Sequence, residues 1–127
     1  MSINSKRKGA RAELQFAKLC TEQGYKARRT AQYCGSTGDA ADVIGLPYIH
    51  IECKAVEKLN LKDAYAQAKR DSAKSGKIPI VAHKRNYGEW MITMSAEDWF
   101  KLYREWEAGH NGKEGKELED QVDAEGN

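Results

Sequence analysis

The sequence predicts an α/β domain, a mixed β-sheet with helices packed on it, in the order α-β-β-β-α-β-β-α. Three observations point there. Apolar residues recur at helical spacing in separate segments near the start, middle and end. Between those segments lie short stretches with strand character, alternating or continuously apolar. Glycine, proline and asparagine mark the joins. A chain of 127 residues is one domain's worth, long enough for one real hydrophobic core.

The first helix is expected from Ser5 to Gln23, ended by Gly24. At about 100° per residue, Ala12, Phe16, Leu19 and Cys20 share one face, with Ala17 at its margin. Lys8, Arg11 and Lys18 fall on the other side. Glu13 lies inside the apolar arc, where a carboxylate is costly unless something pairs with it.

"YKARRTAQ" reads as the first strand and "CGSTGDA" as a glycine-punctuated loop. "ADVIG" and "YIHIECK" are two short strands joined around Leu46-Pro47. Leu61 to Ser75 reads as a helix closed by Gly76. "KIPIVAHK" and "EWMITM" are two more strands across an Asn86-Tyr87-Gly88 turn. "SAEDWFKLYREWEAG" is the last helix, with Ser95 as N-cap and Asp98 in the acidic position of a capping box. Trp99, Phe100, Tyr103 and Trp106 follow helical spacing and suit a face packed on the core, or in part a dimer surface.

Composition narrows the function. Charged residues make up 31% and apolar residues 40%, as in a globular protein with a wet surface. No apolar run approaches the roughly 20 residues of a membrane span, and the basic N-terminus has no apolar stretch of a secretory signal behind it. The cysteines, Cys20, Cys34 and Cys53, are odd in number and lack metal-ligand spacing, which argues against a disulfide framework or zinc site and for a reducing, cytoplasmic setting. Residues 109–127 carry two lysines and six acids, net −4, leaving 19 basic and 13 acidic residues, net +6, in the remainder. The acidic tail, poor in large apolar residues, is expected to be disordered. The basic body, residues 1–108, suits a polyanionic partner.

The central hairpin carries the chemistry. A turn centred on Pro47 places Asp42 opposite Glu52, and directly opposed side chains have Cβ atoms about 4.5–5.5 Å apart. Lys54 shares the Glu52 face because strand period is two. Two ionised carboxylates about 5 Å apart repel by roughly 3 kcal/mol at an effective dielectric of about 20. Such a pair persists if one acid stays protonated or a cation sits between them, and an oxygen-rich site with open positions suits Mg²⁺ or Mn²⁺. A divalent ion with a lysine beside it supplies the parts that phosphodiester hydrolysis needs. The bland reading of the same residues is a salt-bridged sheet surface.

"DVIGLPYIHIECK" resembles the PD-(D/E)xK nuclease motif, with Asp42 followed by Glu52-Cys53-Lys54 and Ala41 in place of the usual proline. "KRKGARAELQFAKLCTEQGY", with its Gly9-Ala10-Arg11-Ala12-Glu13, and "CGSTGDAADV" resemble the Holliday junction resolvases of archaeal and phage type, and "KIPIVAHKRNYGEWMITM" resembles phage relatives of that group. The resemblance covers roughly residues 5 to 100. It implies a restriction-endonuclease-like fold over residues 1–108 and a Mg²⁺-dependent, structure-selective DNA endonuclease acting at four-way junctions. Asp42 and Glu52 would bind Mg²⁺, with Mn²⁺ able to substitute and the Cys53 carbonyl as backbone ligand. Lys54 would position or activate water, Glu13 would complete the acidic cluster, and Ser36 would lie near the scissile phosphate. Gln67 falls where many relatives keep a polar residue near the site. Symmetric cutting implies a homodimer with two sites on one basic surface.

Lys6, Arg7, Lys8 and Arg11 cluster at the N-terminus and, with Arg28 and Arg29, are expected to hold backbone phosphate. His50 is expected on the Glu52 face, as an auxiliary acid–base group or simply a polar strand residue. Asp39 is the rival to Asp42, but only Asp42 leads straight into Val43-Ile44 with a cross-strand partner. Two other readings stand beside the resolvase: a PD-(D/E)xK nuclease acting on duplex or flap DNA, and a non-catalytic DNA-binding module.

Overall fold

The computed structural model describes the backbone of residues 3–30 and 41–124, and the side chains of residues 7–30 and 41–112. The elements follow the expected order: α1 (Ile3–Glu22), β1 (Arg28–Arg29), β2 (Val43–Ile44), β3 (Ile49–Ala55), α2 (Leu61–Ser72), β4 (Ile78–Lys84), β5 (Met91–Thr93) and α3 (Ala96–Ala124). They form two compact units, Met1–Met94 and Ser95–Asn127.

The first unit is built on a five-stranded sheet whose spatial order is the chain order. Pairing is antiparallel throughout except between β3 and β4, which run parallel and are joined through α2. A parallel pair needs such a crossover, and its strands are covered on both faces. Both strands accordingly have four consecutive buried residues, His50–Cys53 and Pro79–Ala82. One face carries Val43, Ile51, Cys53, Ile80 and Ala82 against Ala12, Phe16, Ala17 and Cys20 of α1. The other carries Val81 against Ala64 and Ala68 of α2. The Phe16 ring packs on Trp90 with centroids 5.1 Å apart.

The joins are set by local chemistry. Asn60 caps α2, its side chain accepting the Asp63 N–H at 3.1 Å. Gly45 at the β2–β3 turn has φ of +125°, and a Cβ there would lie 2.3 Å from the Lys26 carbonyl oxygen, so the turn tolerates no side chain. The two edge strands are shorter than expected. β1 keeps only Arg28 and Arg29 of "YKARRTAQ", whose last two residues lie outside the described residues, and β5 keeps Met91–Thr93 of "EWMITM".

In the second unit, α3 is capped by Ser95, whose Oγ accepts the Asp98 N–H at 3.1 Å. The helix does not end near Gly109 but continues to Ala124, so the tail's backbone is helical rather than irregular. Low apolar content argues against a core, not against a helix. Residues 113–121 are mostly Lys, Glu, Leu and Gln, good helix formers, and extending a nucleated helix is far easier than starting one. Along its first half the aromatics are exposed and stack on one another, Trp99 on Tyr103 at 5.1 Å and Trp106 on His110 at 4.9 Å. Among the described residues no helix is long and apolar enough to cross a membrane.

Candidate active site

The hairpin of β2 and β3 has the register expected of a turn around Pro47. Val43 pairs with Ile51, which puts Asp42 opposite Glu52. Asp42 is held from both sides. Its backbone N–H donates to the Ile51 carbonyl at 2.9 Å, and its carbonyl accepts the Thr30 N–H at 3.1 Å. Its Oδ2 accepts the Cys53 backbone N–H at 2.9 Å. In an extended strand a residue's N–H and C=O point to the same edge, so the Cys53 carbonyl also faces the Asp42 side.

Glu52 is the most unusual group in the molecule. It is 1% exposed, and no donor reaches either carboxylate oxygen; the group beside it is the Asp42 carboxylate, to which its protonated form donates. Its register neighbour is Val81, so it projects toward α2. Burial, then the adjacent Asp42 charge, push its pKa up to about 8. Burial also raises Asp42, against the lowering effect of the Cys53 N–H and the Lys54 ammonium. The Cys53 thiol is pushed up by burial among the same carboxylates. Lys54, half-buried two residues beyond Glu52, is the cation that both acids feel.

Glu13 approaches from α1. It is half-buried, and Oε1 accepts from Arg29 Nε at 2.8 Å, the partner that its place in the apolar arc demands. Burial raises its pKa despite that bond, and the Asp42 charge adds to the rise. Arg29 is therefore engaged with Glu13, while Arg28 is exposed. His50 is 2% exposed rather than surface-facing, because α2 covers the face it shares with Glu52, and its charge is felt by Asp42. Gln67 is half-buried on α2.

Five contributors gave no sequence signal. Asp71, four residues beyond Gln67 on α2, adds to the field that raises Glu52. Thr30 braces the residue before Asp42, its Oγ1 donating to the Ala41 carbonyl at 2.8 Å. Lys84, Asn86 and Tyr87 join Arg7, Lys8 and Arg11 around a cleft of about 700 Å³. An alternation of small and polar residues in α2, or a turn tripeptide, looks the same whether or not it borders a site. Ser36, Cys34 and Asp39 lie outside the described residues, as does the Lys6 side chain.

Among the described residues, no three His, Cys, Asp or Glu side chains converge as a ready-made metal cage. What does fit a hard divalent cation is a smaller donor set: the Asp42 carboxylate, the orphaned Glu52 oxygens and the Cys53 carbonyl. A buried acid set against a half-buried one is better accommodated by a cation than by its neighbour.

The family model described as "Phage putative PDDEXK endonuclease" matches residues 4–115. The chain belongs to that family. This PDDEXK endonuclease also matches the solved structure of Hjc, a Holliday junction resolvase from the archaeal hyperthermophile Archaeoglobus fulgidus, with a TM-score of 0.53 and 22% identity over 68% of this chain and 72% of that one. The likeness shows the restriction-endonuclease-like fold, a mixed five-stranded sheet with flanking helices. No curated protein matches the chain.

Proposed function

We propose that this PDDEXK endonuclease is a Mg²⁺-dependent, structure-selective DNA endonuclease that hydrolyses phosphodiesters at four-way junctions. The observation that carries the reading is Glu52: a fully buried carboxylate that no donor reaches, set against the Asp42 carboxylate and beside Lys54. Asp42, Glu52 and the Cys53 carbonyl would hold Mg²⁺, with Mn²⁺ able to substitute. The bound ion would polarise a phosphoryl oxygen and lower the pKa of a water.

The other roles belong to the chain itself. Lys54 orients the attacking water and neutralises charge that builds on the phosphate. Glu13, fixed by Arg29, adds a second-rank carboxylate beside Asp42. Ser36 is placed by this reading near the scissile phosphate, and Gln67 and His50 line the rear of the site. Lys6, Arg7, Lys8, Arg11 and Arg28 grip backbone phosphate, with Arg29 contributing through Glu13. Two cuts on one junction require two sites, so the active form is a homodimer.

The test is a cleavage panel on a labelled four-way junction, a flap and a plain duplex with Mg²⁺. Paired symmetric nicks on the junction alone support the proposal. Cutting of flap or duplex in preference keeps the nuclease and rejects the junction. Binding without cutting under any divalent metal leaves a DNA-binding module.

A further inference from the structure

The cleft between α1 and the β4–β5 turn has a composition that the hydrolytic site does not explain. Arg7, Lys8 and Arg11 line one side and Lys84 the other, with Asn86 and Tyr87 at the lip. None of the four cations is in an ion pair among the described residues. Lys84 sits over the Trp90 ring at 5.6 Å, which keeps its ammonium at the cleft. Ala12 and Ala55, packed in the cluster under α1, complete the lining.

Tyr87, which lines this cleft, is one of two exposed tyrosines at positive φ, the other being Tyr48 in the β2–β3 turn. The Tyr87 side chain is fully exposed, and its φ of +61° is a backbone region that bulky residues avoid. Glycine or asparagine would serve such a turn better, and both flank it as Asn86 and Gly88. The turn itself is fixed. The Gly88 N–H donates to the Arg85 carbonyl at 2.9 Å, and the Asn86 N–H donates to Glu57 Oε1 at 2.9 Å, tying the turn to the segment after β3. The fixed turn thus presents an exposed aromatic ring at a cleft lined by Arg7, Lys8, Arg11 and Lys84, none of them in an ion pair among the described residues.

We propose that this cleft is a subsite for an unpaired nucleotide, with its phosphate held by Arg7, Arg11 and Lys84 and its base stacked on Tyr87. Aromatic rings stack on bases regardless of sequence, but inside continuous duplex both faces of each base are already covered. A lone ring at a turn tip therefore reads an interrupted stack: a branch, a flap or a strand end. The cleft turns general phosphate affinity into a preference for discontinuous DNA. This rests on the reading of the protein as a DNA endonuclease, and it assigns part of the structure selectivity to Tyr87.

The test measures binding by the full chain in EDTA, so that cutting plays no part. The probes are an oligodeoxynucleotide carrying 2-aminopurine, as a single strand and within a blunt duplex. The expected result is quenching of the unpaired 2-aminopurine by the wild-type protein and by Tyr87→Phe. Tyr87→Ala should lose quenching and roughly tenfold in affinity for the single strand, with duplex affinity unchanged. Lys84→Ala should weaken binding of both probes and flatten the salt dependence. Equal behaviour of Tyr87→Ala and wild type, equal losses on both probes, or failure of Tyr87→Phe to retain quenching would each overturn the proposal. Tyr87-dependent quenching in a protein that never cuts DNA would leave the subsite standing and reject the nuclease reading. Normal junction cutting with no Tyr87 effect would do the reverse.

Discussion

Glu52 shows how much one buried group constrains. Without a cation its carboxyl is held protonated, with a pKa of about 8 against an ordinary value of 4.5. The folded state therefore keeps a proton that the unfolded chain releases, and folding is favoured at low pH. That stability is fully present below pH 4.5 and is lost as pH rises toward 8. Denaturant titrations in EDTA should show a loss on the order of a few kcal/mol between pH 5 and pH 9, and Glu52→Gln should remove most of it. The pairing of Asp42 with Glu52 was legible in the sequence because a tight turn and strand alternation leave one register. The burial of His50 was not. It depends on α2 covering that face, and a strand reads the same under a helix or under water.

Between elements, two contacts position the site. Arg29 on β1 ties to Glu13 on α1. Arg29→Ala should leave that half-buried carboxylate unpaired and cost about 1–3 kcal/mol in chemical denaturation, more than Arg28→Ala at the exposed neighbour. Gly45 lets the β2–β3 turn press against Lys26 and Ala27. Gly45→Ala drives a methyl into backbone, and a loss of about 2 kcal/mol or more is expected in a thermal melt, with falling activity as Asp42 shifts from Glu52. Helical periodicity exposed Glu13 as misplaced, but its partner lies sixteen residues away across a turn, beyond any local pattern. The extent of α3 was missed for the opposite reason. Composition spoke about burial, while helix propensity decided the backbone.

For the molecule entire, the basic residues outnumber the acids by six before residue 109, and the cleft gathers four of them. Binding to DNA should fall steeply and linearly on a log–log plot against salt, and charge-removing changes at Arg7 or Arg11 should each reduce the slope by about one. The order of elements was readable because each has its own period and its own stop signals. The convergence of α1, β3 and the β4–β5 turn on one cleft was not, since it is made by the packing of segments far apart in the chain.

The central claim is that Asp42 and Glu52 form a cation-holding pair for phosphodiester hydrolysis. Cutting of a labelled four-way junction, with Mg²⁺ or with EDTA, tests it most directly when wild type is set beside Asp42→Asn and Glu52→Gln, each verified as folded. Nicking by the wild type is expected only with Mg²⁺, and a loss of at least a hundredfold in both variants with DNA binding retained. Unimpaired cutting by Glu52→Gln, or undiminished cutting in EDTA, would contradict it.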